Sequence, residues 1–211
     1  MAFDFKKEYK ELYMPKSQPS IITAPIMNYI AVRGKGDPNE ADGEYKKSIE
    51  LLYAIAYTIK MSHKGNYKIE GYFDYIVPPL EGLWWQDGTK DIDYTKKDTF
   101  NFISIIRLPD FVTKKDFNWA IEAATLKKKL DFKKVEFLTY NEGICVQCLH
   151  AGSYDNERLT IDLMENYALD NGYQIDLSKS RFHHEIYLTD PRKCDENQLK
   201  TVIRHPIKKM L

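Results

Sequence analysis

The sequence predicts an α+β protein built from two similar halves, with a small-molecule site between them. The order strand, glycine turn, helix, strand, proline occurs twice, first from Tyr29 to Pro79 and again from Cys145 to Pro191. Segments in which apolar residues recur at every second position also alternate with segments in which they recur at helical spacing. Two such units can pair about a pseudo-twofold axis, and the interface between them is a common place for a ligand.

The first half is predicted to span about residues 21–130, after an N-terminal arm of residues 1–20. Apolar alternation, broken by turn residues and by prolines, predicts three strands, at residues 26–33, 69–77 and 99–107. Helical spacing of apolar residues predicts two helices, at residues 45–61 and 114–130. Thr113 is a suitable N-cap for the second helix.

The second half is predicted to span about residues 131–211. Its predicted strands lie at residues 135–140, 144–150, 182–188 and 199–205. A helix is predicted at residues 156–171, and Gly172 is a natural residue to follow its end. The apolar residues predicted to share one face of that helix are Leu159, Leu163, Tyr167 and Ala168.

The charge balance argues against a nucleic-acid partner. The chain has 31 basic and 31 acidic residues, whereas a nucleic-acid binder usually has a basic excess to pair with phosphates. The lysine cluster at residues 127–129 is typical of a solvated helix surface. We therefore expect no nucleic-acid binding.

The sequence also predicts a cytoplasmic protein with no membrane span. The N-terminal residues have no apolar region of the signal-peptide type, and no run approaches the ~20 apolar residues that cross a bilayer. The odd number of cysteines, three, suits a reducing compartment. Cys145 and Cys148 have the spacing of a redox or zinc pair, but on a strand they would face opposite ways, which favours a structural role.

No motif for a metal or a cofactor accompanies the other polar residues. His183 and His184 are adjacent on a predicted strand, so they would diverge, and no H-E-x-x-H motif is present. The sequence also lacks the P-loop and the G-x-S-x-G motif of serine hydrolases. We therefore expect neither a metal nor a cofactor.

Aromatic residues are plentiful, with 15 Tyr, 10 Phe and 3 Trp. Tyrosine is amphipathic, so this surplus suits an aromatic-lined cavity as well as an ordinary core. The composition leaves both alternatives open.

Four segments together give the chain a resemblance to a known family. They are Pro78-Pro-Leu-Glu-Gly-Leu-Trp-Trp85, Ile106-Arg-Leu-Pro-Asp-Phe-Val-Thr113, His150-Ala-Gly-Ser-Tyr-Asp-Asn-Glu157 and His183-His-Glu-Ile-Tyr-Leu-Thr-Asp-Pro-Arg-Lys193. From about residue 20 to its end, the chain resembles the GyrI-like small-molecule-binding family. The resemblance implies two pseudo-symmetric halves, with antiparallel sheets around a central cleft and helices on the outer faces.

The resemblance also suggests a function. The chain is similar to the stand-alone branch that includes cyclopropanoid cyclopropyl hydrolases, which open the spirocyclopropane of DNA-alkylating natural products of the duocarmycin and yatakemycin type and so protect the cell. Other members are the effector-binding part of multidrug-responsive regulators, so a non-catalytic drug-binding or sequestering module is the alternative. A distant branch binds DNA gyrase, but no residues here argue for that activity.

Glu185 is the leading candidate for catalysis. Alternation along its strand places His183, Glu185 and Tyr187 on one face. The resemblance implies a pocket glutamate at this position, which in a hydrolase would deprotonate the attacking water. Tyr187 would then donate a hydrogen bond to the ligand, and His183 would contact it. The alternative for Glu185 is a solvated or salt-bridged strand residue.

Aromatic residues are the candidates for the walls of the site. The internal repeat aligns Phe73 and Tyr75 with Glu185 and Tyr187, which predicts that they line the opposite wall. Trp84 and Trp85 follow closely and point opposite ways on an extended chain, and we expect Trp85 to face the aromatic ligand. The alternative for each is core packing, which is also expected for Tyr154 and Trp119.

Overall fold

The computed structural model describes residues 2–89 and 92–210. Within these ranges the chain forms five α-helices, nine β-strands and several short 3-10 turns. The helices are α1 (Phe5–Glu8), α2 (Lys10–Tyr13), α3 (Glu44–Lys60), α4 (Lys114–Lys127) and α5 (Glu157–Asp170). The strands are β1 (Ser20–Ala24), β2 (Met27–Lys35), β3 (Leu80–Trp85), β4 (Asn101–Arg107), β5 (Val135–Tyr140), β6 (Gly143–Ala151), β7 (Tyr173–Ile175), β8 (His183–Tyr187) and β9 (Lys200–Lys209).

All nine strands join one antiparallel sheet, in the order β1-β6-β9-β8-β3-β4-β2-β5, with β7 paired to β9. The predicted antiparallel α+β class is confirmed, although the two expected sheets are continuous. The reason is that β3, an edge strand of the first half, pairs with β8, an edge strand of the second half. The order on each side of this pair is mirrored, with β4 and β2 on one side and β9 and β6 on the other.

The two faces of the sheet are covered by different elements. Strands β2 and β4 pack against α3 and α4 through a cluster that includes Ile30, Ile55 and Phe117. Strands β6 and β9 pack against α5 on the same face, through Val146, Met164 and Ile203. The short helices α1 and α2 cover the other face. The centre of the sheet, β3 and β8, therefore lies between the packing surfaces of α3 and α5.

The strand predicted at residues 69–77 is wrong. This segment is irregular and has only an isolated bridge, between Tyr75 and Phe3 of the N-terminal segment. Its alternation of apolar residues reflects packing against α1, not sheet pairing: Tyr75 is buried in that cluster, and Phe73 is 42% exposed. The strand that pairs with β8 follows the two prolines, at Leu80–Trp85.

Two further details differ from the sequence prediction. The buried face of α5 includes Ile161, Met164 and Ala168, whereas Leu159 and Leu163 are 71% and 56% exposed. Both sets have helical spacing, so periodicity alone could not choose between them. Strand β9 also continues through Pro206, which pairs with Cys145.

Other expectations concern the cysteines and the membrane. The three cysteines are free thiols, and Cys145 and Cys148 are both buried in β6. Among the helices of residues 2–89 and 92–210, none combines the length and apolar character needed to cross a bilayer.

Candidate functional site

The pairing of β3 with β8 builds the centre of the site. Gly82 lies opposite Glu185, and Trp84 lies opposite His183, so all four positions share one face of the sheet. That is the face that carries α3 and α5. Glu185 is only 7% exposed, and its Oε1 atom lies 2.9 Å from Nε2 of His183.

Gly82 allows two aromatic side chains to meet above the strand. Trp84 Nε1 donates a hydrogen bond to the Tyr187 hydroxyl at 2.9 Å. A Cβ atom at position 82 would lie 2.5 Å from Trp84 Nε1 and 2.9 Å from the Tyr187 oxygen. Only glycine leaves room for this contact, so the sequence Gly-Leu-Trp shapes the wall beside Glu185.

A second carboxyl group, from α5, joins Glu185. Glu157 lies at the start of α5 and is fully buried. Its Oε2 accepts a hydrogen bond from the Tyr94 hydroxyl at 3.1 Å, whereas its Oε1 is buried without a partner among the described residues. Burial and the charge of Glu185 raise the pKa of Glu157 well above its usual value. Burial beside Glu185 therefore favours the protonated form of Glu157.

Tyrosines surround the two carboxyl groups. Tyr45 of α3 lies against Trp84, with ring centroids 5.1 Å apart, and Tyr154 meets Tyr187 edge-on at 6.0 Å. Burial is the largest cause, and the charge of Glu185 an added one, of raised pKa values at Tyr45, Tyr94, Tyr154 and Tyr187. These hydroxyls stay protonated and can act as hydrogen-bond donors.

The site is covered by residues 86–89 and 92–100, which we call the cover segment. Gln86 ties this segment together, donating to Thr99 Oγ1 at 2.8 Å and to the carbonyls of Asp93 and Lys96. The cover segment is held over the site by the Tyr94–Glu157 hydrogen bond and by an ion pair between Lys97 and Asp155 at 2.7 Å. The space left beneath it is a cavity of about 20 Å³ beside His183 and His205.

A buried ionic network lies on the other face of the sheet, directly behind Glu185. His184 Nε2 is 2.9 Å from Glu81 and its Nδ1 is 3.0 Å from Glu142, which also accepts from Arg204 at 2.9 Å. Burial alone would lower the pKa of His184, but Glu142 and Glu81 raise it to about 9. Burial would likewise raise the pKa of Glu142, but His184 and Arg204 lower it to about 2. The network therefore anchors β8 on the face of the sheet opposite Glu185.

The family model of the GyrI-like small-molecule-binding domain matches residues 17–208. The chain belongs to the GyrI-like family. Nothing among the curated proteins matches it.

Solved structures include close relatives. An uncharacterized conserved protein from Listeria innocua is 44% identical, covers 98% of this chain and 100% of its own, and has a TM-score of 0.92. A protein from the same organism described as a hydrolase is also 44% identical, with the same coverage and a TM-score of 0.88. The C-terminal domain of EcmrR is 16% identical, covers 92% of this chain and 98% of its own, and has a TM-score of 0.55, which shows a common fold alone.

This GyrI-like structure brings some of the predicted site residues together. Glu185, Tyr187 and Trp84 form one cluster, and His183 is beside them. Both ring nitrogens of His183 bond within the protein, to Glu185 and to His205, so neither is left for a hydrogen bond to a ligand.

Three predicted wall residues lie elsewhere. Trp85 points away from Glu185 and packs against Phe182, with ring centroids 4.9 Å apart. Phe73 and Tyr75 belong to the irregular segment near α1. The expectation that Trp85 lies on the Glu185 side is therefore wrong, because pairing with β8 turns the even-numbered residues of β3 to that face. The assignment of Phe73 and Tyr75 fails because it depended on the strand at residues 69–77.

Several site residues were not predicted from the sequence. Glu157 is the last residue of one of the four segments that resemble the family. A glutamate in the first turn of a helix usually faces water, so its burial could not be predicted. Tyr154, expected to be structural, faces Tyr187. Tyr45, Tyr94 and His205 come from three other parts of the chain, and no local signal connected them with Glu185.

One group of residues has the arrangement that a metal ion would need. Glu157, His183 and Glu185 each offer an atom, and these atoms lie within 4.8 Å of one another. However, two of these three side chains, His183 and Glu185, are already joined to each other by a hydrogen bond. We interpret the group as a proton-sharing cluster.

A larger groove, of about 340 Å³, lies between α3 and α4. Its lining includes Tyr57, Met61, Trp119 and Lys127, none of which is a predicted site residue. It is an open surface feature without a buried carboxyl group, so the cluster around Glu185 remains the candidate site.

Proposed function

We propose that the protein is a hydrolase that opens the cyclopropane ring of DNA-alkylating spirocyclopropane natural products of the duocarmycin and yatakemycin type, and so protects the cell. The observation that carries the proposal is the Glu185 carboxylate, buried in an aromatic enclosure and fixed on one side by His183. The 44% identical relative described as a hydrolase supports an enzymatic role.

In the proposed reaction Glu185 acts as the general base. It takes a proton from water while the water oxygen bonds to the methylene carbon of the cyclopropane. The bond between that carbon and the spiro carbon breaks, and its electron pair moves through the conjugated ring to the carbonyl oxygen. That oxygen then takes a proton, in net terms the one that Glu185 removed from water, so Glu185 is regenerated and the product is a phenol with a new alcohol and is one water heavier. A positioned general base contributes roughly 10²–10⁴-fold to a rate.

Hydroxyl donors suit the carbonyl end of such a ligand. Tyr45, Tyr154 and Tyr187 are held protonated near Glu185 by burial and by its charge. A hydrogen bond from one of them would stabilise the oxygen as it gains negative charge. Trp84 and its neighbour Phe102, with ring centroids 5.6 Å apart, offer flat surfaces for the aromatic rings of the ligand.

Ligand entry requires the cover segment to move. The cavity of about 20 Å³ is far smaller than the ~300–1,000 Å³ of drug-sized sites. Displacing Tyr94 would expose Glu157, Glu185 and the aromatic wall together, because Tyr94 bonds directly to Glu157.

A second function, binding or sequestering drugs without turnover, is favoured by one observation. The two carboxyl groups lie within an aromatic enclosure and could neutralise a cationic aromatic ligand without any chemistry.

Incubation of the purified protein with a duocarmycin-type compound tests both functions. We expect a product one water heavier by mass spectrometry. Glu185→Gln, which keeps the shape, and Glu185→Leu should lose at least ~10²-fold in rate but still bind the ligand. Glu122→Gln, on the exposed surface of α4, is the control and should retain full activity.

Two outcomes contradict parts of the proposal. Equal rates for wild type and a folded Glu185→Gln variant would show that Glu185 is not the base. Tight binding by wild type without any ring-opened product would identify a binding module.

A further inference from the structure

Two buried histidines connect Glu185 to the small internal cavity. His183 Nε2 lies 2.9 Å from Glu185 Oε1, and His183 Nδ1 lies 2.7 Å from His205 Nε2. Both rings are buried, and they meet at an interplanar angle of 68°. The remaining nitrogen, His205 Nδ1, is buried without a partner among the described residues. We call His183 and His205 the histidine pair.

The contacts fix the tautomers of the histidine pair when both rings are neutral. An ionised Glu185 only accepts hydrogen bonds, so His183 carries its hydrogen on Nε2. His183 Nδ1 must then accept, and His205 donates to it from Nε2. This leaves His205 Nδ1 as an unpaired acceptor. Burial and the neighbouring His183 hold the pKa of His205 well below its usual value, in agreement with a neutral ring.

The cavity lined by the histidine pair has space for about one water molecule. Its volume is about 20 Å³, and its lining includes Tyr94, Arg158, His183 and His205. A buried water needs roughly 10–15 Å³ of such space and two to four polar partners. The cavity satisfies the first condition, and Tyr94, Arg158 and His205 bring polar side chains to its lining. An unpaired buried acceptor costs about 1–3 kcal/mol, which a water donating to it would recover.

We propose that this cavity is a water site, and that the water and the histidine pair together position the Glu185 carboxylate. The role in turnover rests on the proposed function, whereas the water and the tautomers do not. With Oε1 held by His183, the other oxygen of Glu185 is the one that would take the proton from water. Misplacing a reacting group by about 1 Å can cost ~10²-fold, so this orientation matters for the rate.

Charged and titratable groups face the histidine pair from every neighbouring element. They are Glu185 of β8, Glu157 and Arg158 of α5, and Tyr94 of the cover segment. The charge of Glu142, in the turn between β5 and β6, also acts on His205, from the other face of the sheet. A pH profile of the rate therefore reports on this whole group, and the decisive measurements are those on the histidines themselves.

Nuclear magnetic resonance of protein labelled with ¹⁵N-histidine tests the tautomers without any ligand. We expect both His183 and His205 in the Nε2–H form, with His205 uncharged through the pH range in which an ordinary histidine titrates. A crystal structure should show a water within hydrogen-bonding distance of His205 Nδ1. An Nδ1–H form of His205, or an empty cavity in good density, would overturn the proposal.

Kinetics test the positioning role. His205→Phe removes the bond to His183 but keeps an aromatic ring, and should lower kcat by about 10-fold or more while ligand Kd changes by less than about 2-fold. His205→Gln places an amide N–H where Nε2 lay, and should recover most of the rate. A folded His205→Phe variant with wild-type kcat would show that the pair does not position Glu185.

Failure of the proposed function gives a different result. If wild type does not hydrolyse the compound, the hydrolase proposal fails, but the tautomers and the water still decide whether the cavity and the histidine pair are as inferred. If His205→Phe does not fold, the comparison of His205→Gln with wild type and the spectra of wild type remain decisive.

Discussion

Glu157 and Glu185 show how one side chain changes the chemistry of another. Each is buried and their charges would repel, which raises the pKa of Glu157, while Glu185 bonds to His183. In the proposed hydrolysis this difference would leave Glu185 as the base, and it depends on the burial of Glu157.

The orientation of the two adjacent tryptophans leads to the first prediction. Trp84 lies on the Glu185 face, whereas Trp85 packs against Phe182 on the other. Trp84→Ala should weaken binding of the aromatic ligand by roughly 1–3 kcal/mol, the scale for losing a stacking surface. Trp85→Ala is the matched control and should leave affinity almost unchanged. Calorimetry on variants shown to be folded by circular dichroism measures both, and a larger effect at Trp85 would contradict the assignment.

Two elements of the fold, the central strand pair and the cover segment, decide how the site is built. Strands β3 and β8 bring Gly82 opposite Glu185, and the missing side chain of Gly82 leaves space for Trp84 to reach Tyr187. The cover segment is held to α5 and the turn before it by Tyr94 and Lys97. The site therefore has a floor of hydrogen-bonded strands and a cover segment that these two side-chain contacts hold in place.

The cover segment leads to a second prediction. Tyr94→Phe removes the hydrogen bond to Glu157, which contributes about 0.5–1.5 kcal/mol, so the ligand should associate up to about tenfold faster. Stopped-flow tryptophan fluorescence measures this rate. Tyr57→Phe, at an exposed position of α3, is the control. An unchanged association rate in Tyr94→Phe would mean that the ligand enters by another route.

At the scale of the whole molecule, the sheet separates two buried polar systems. The proton-sharing cluster lies on the face of α3 and α5, and the network of His184, Glu142 and Arg204 lies on the face of α1 and α2. The second system also ties the N-terminal segment to the sheet, because Arg204 donates to the Leu12 carbonyl at 2.8 Å. Adjacent residues of one strand, His184 and Glu185, thus serve stability on one face and the proposed chemistry on the other.

The buried network predicts how stability depends on pH. The pKa of His184 rises from 6.5 to about 9 on folding, so the folded state binds an extra proton between these values. The raised pKa of His184 contributes on the order of 3 kcal/mol to the free energy of unfolding. This contribution is fully present below pH 6.5 and is lost as the pH rises through about 9. Urea unfolding at several pH values should show this fall in the free energy of unfolding.

A control and a contrary result follow from the same network. His184→Asn cannot titrate, so its free energy of unfolding should be lower and should lack the fall between pH 6.5 and 9. The pKa of Glu142, lowered to about 2, adds stability that is present above its ordinary value of 4.5 and is lost as the pH falls toward 2. Constant stability of wild type from pH 6.5 to 9 would contradict the assignment of a charged His184.

The sequence alone determined the order of most elements and the face of β8 that carries Glu185. Periodicity and glycine turns are local signals, and the residues that form β2, β4, β6, α3 and α4 carry them clearly. The alternation of His183, Glu185 and Tyr187 is equally local, so their common face could be predicted without knowing what lies above it.

Only the tertiary structure decided what surrounds Glu185. The partner of β8 is β3 and not residues 69–77, and this register turned Trp84 to the site and moved Phe73, Tyr75 and Trp85 away from it. Glu157, Tyr94 and His205 come from distant parts of the sequence. The physical reason is that strand register and burial depend on long-range pairing. The burial that raises the pKa of Glu157 exists only when α5 and the cover segment pack over the sheet.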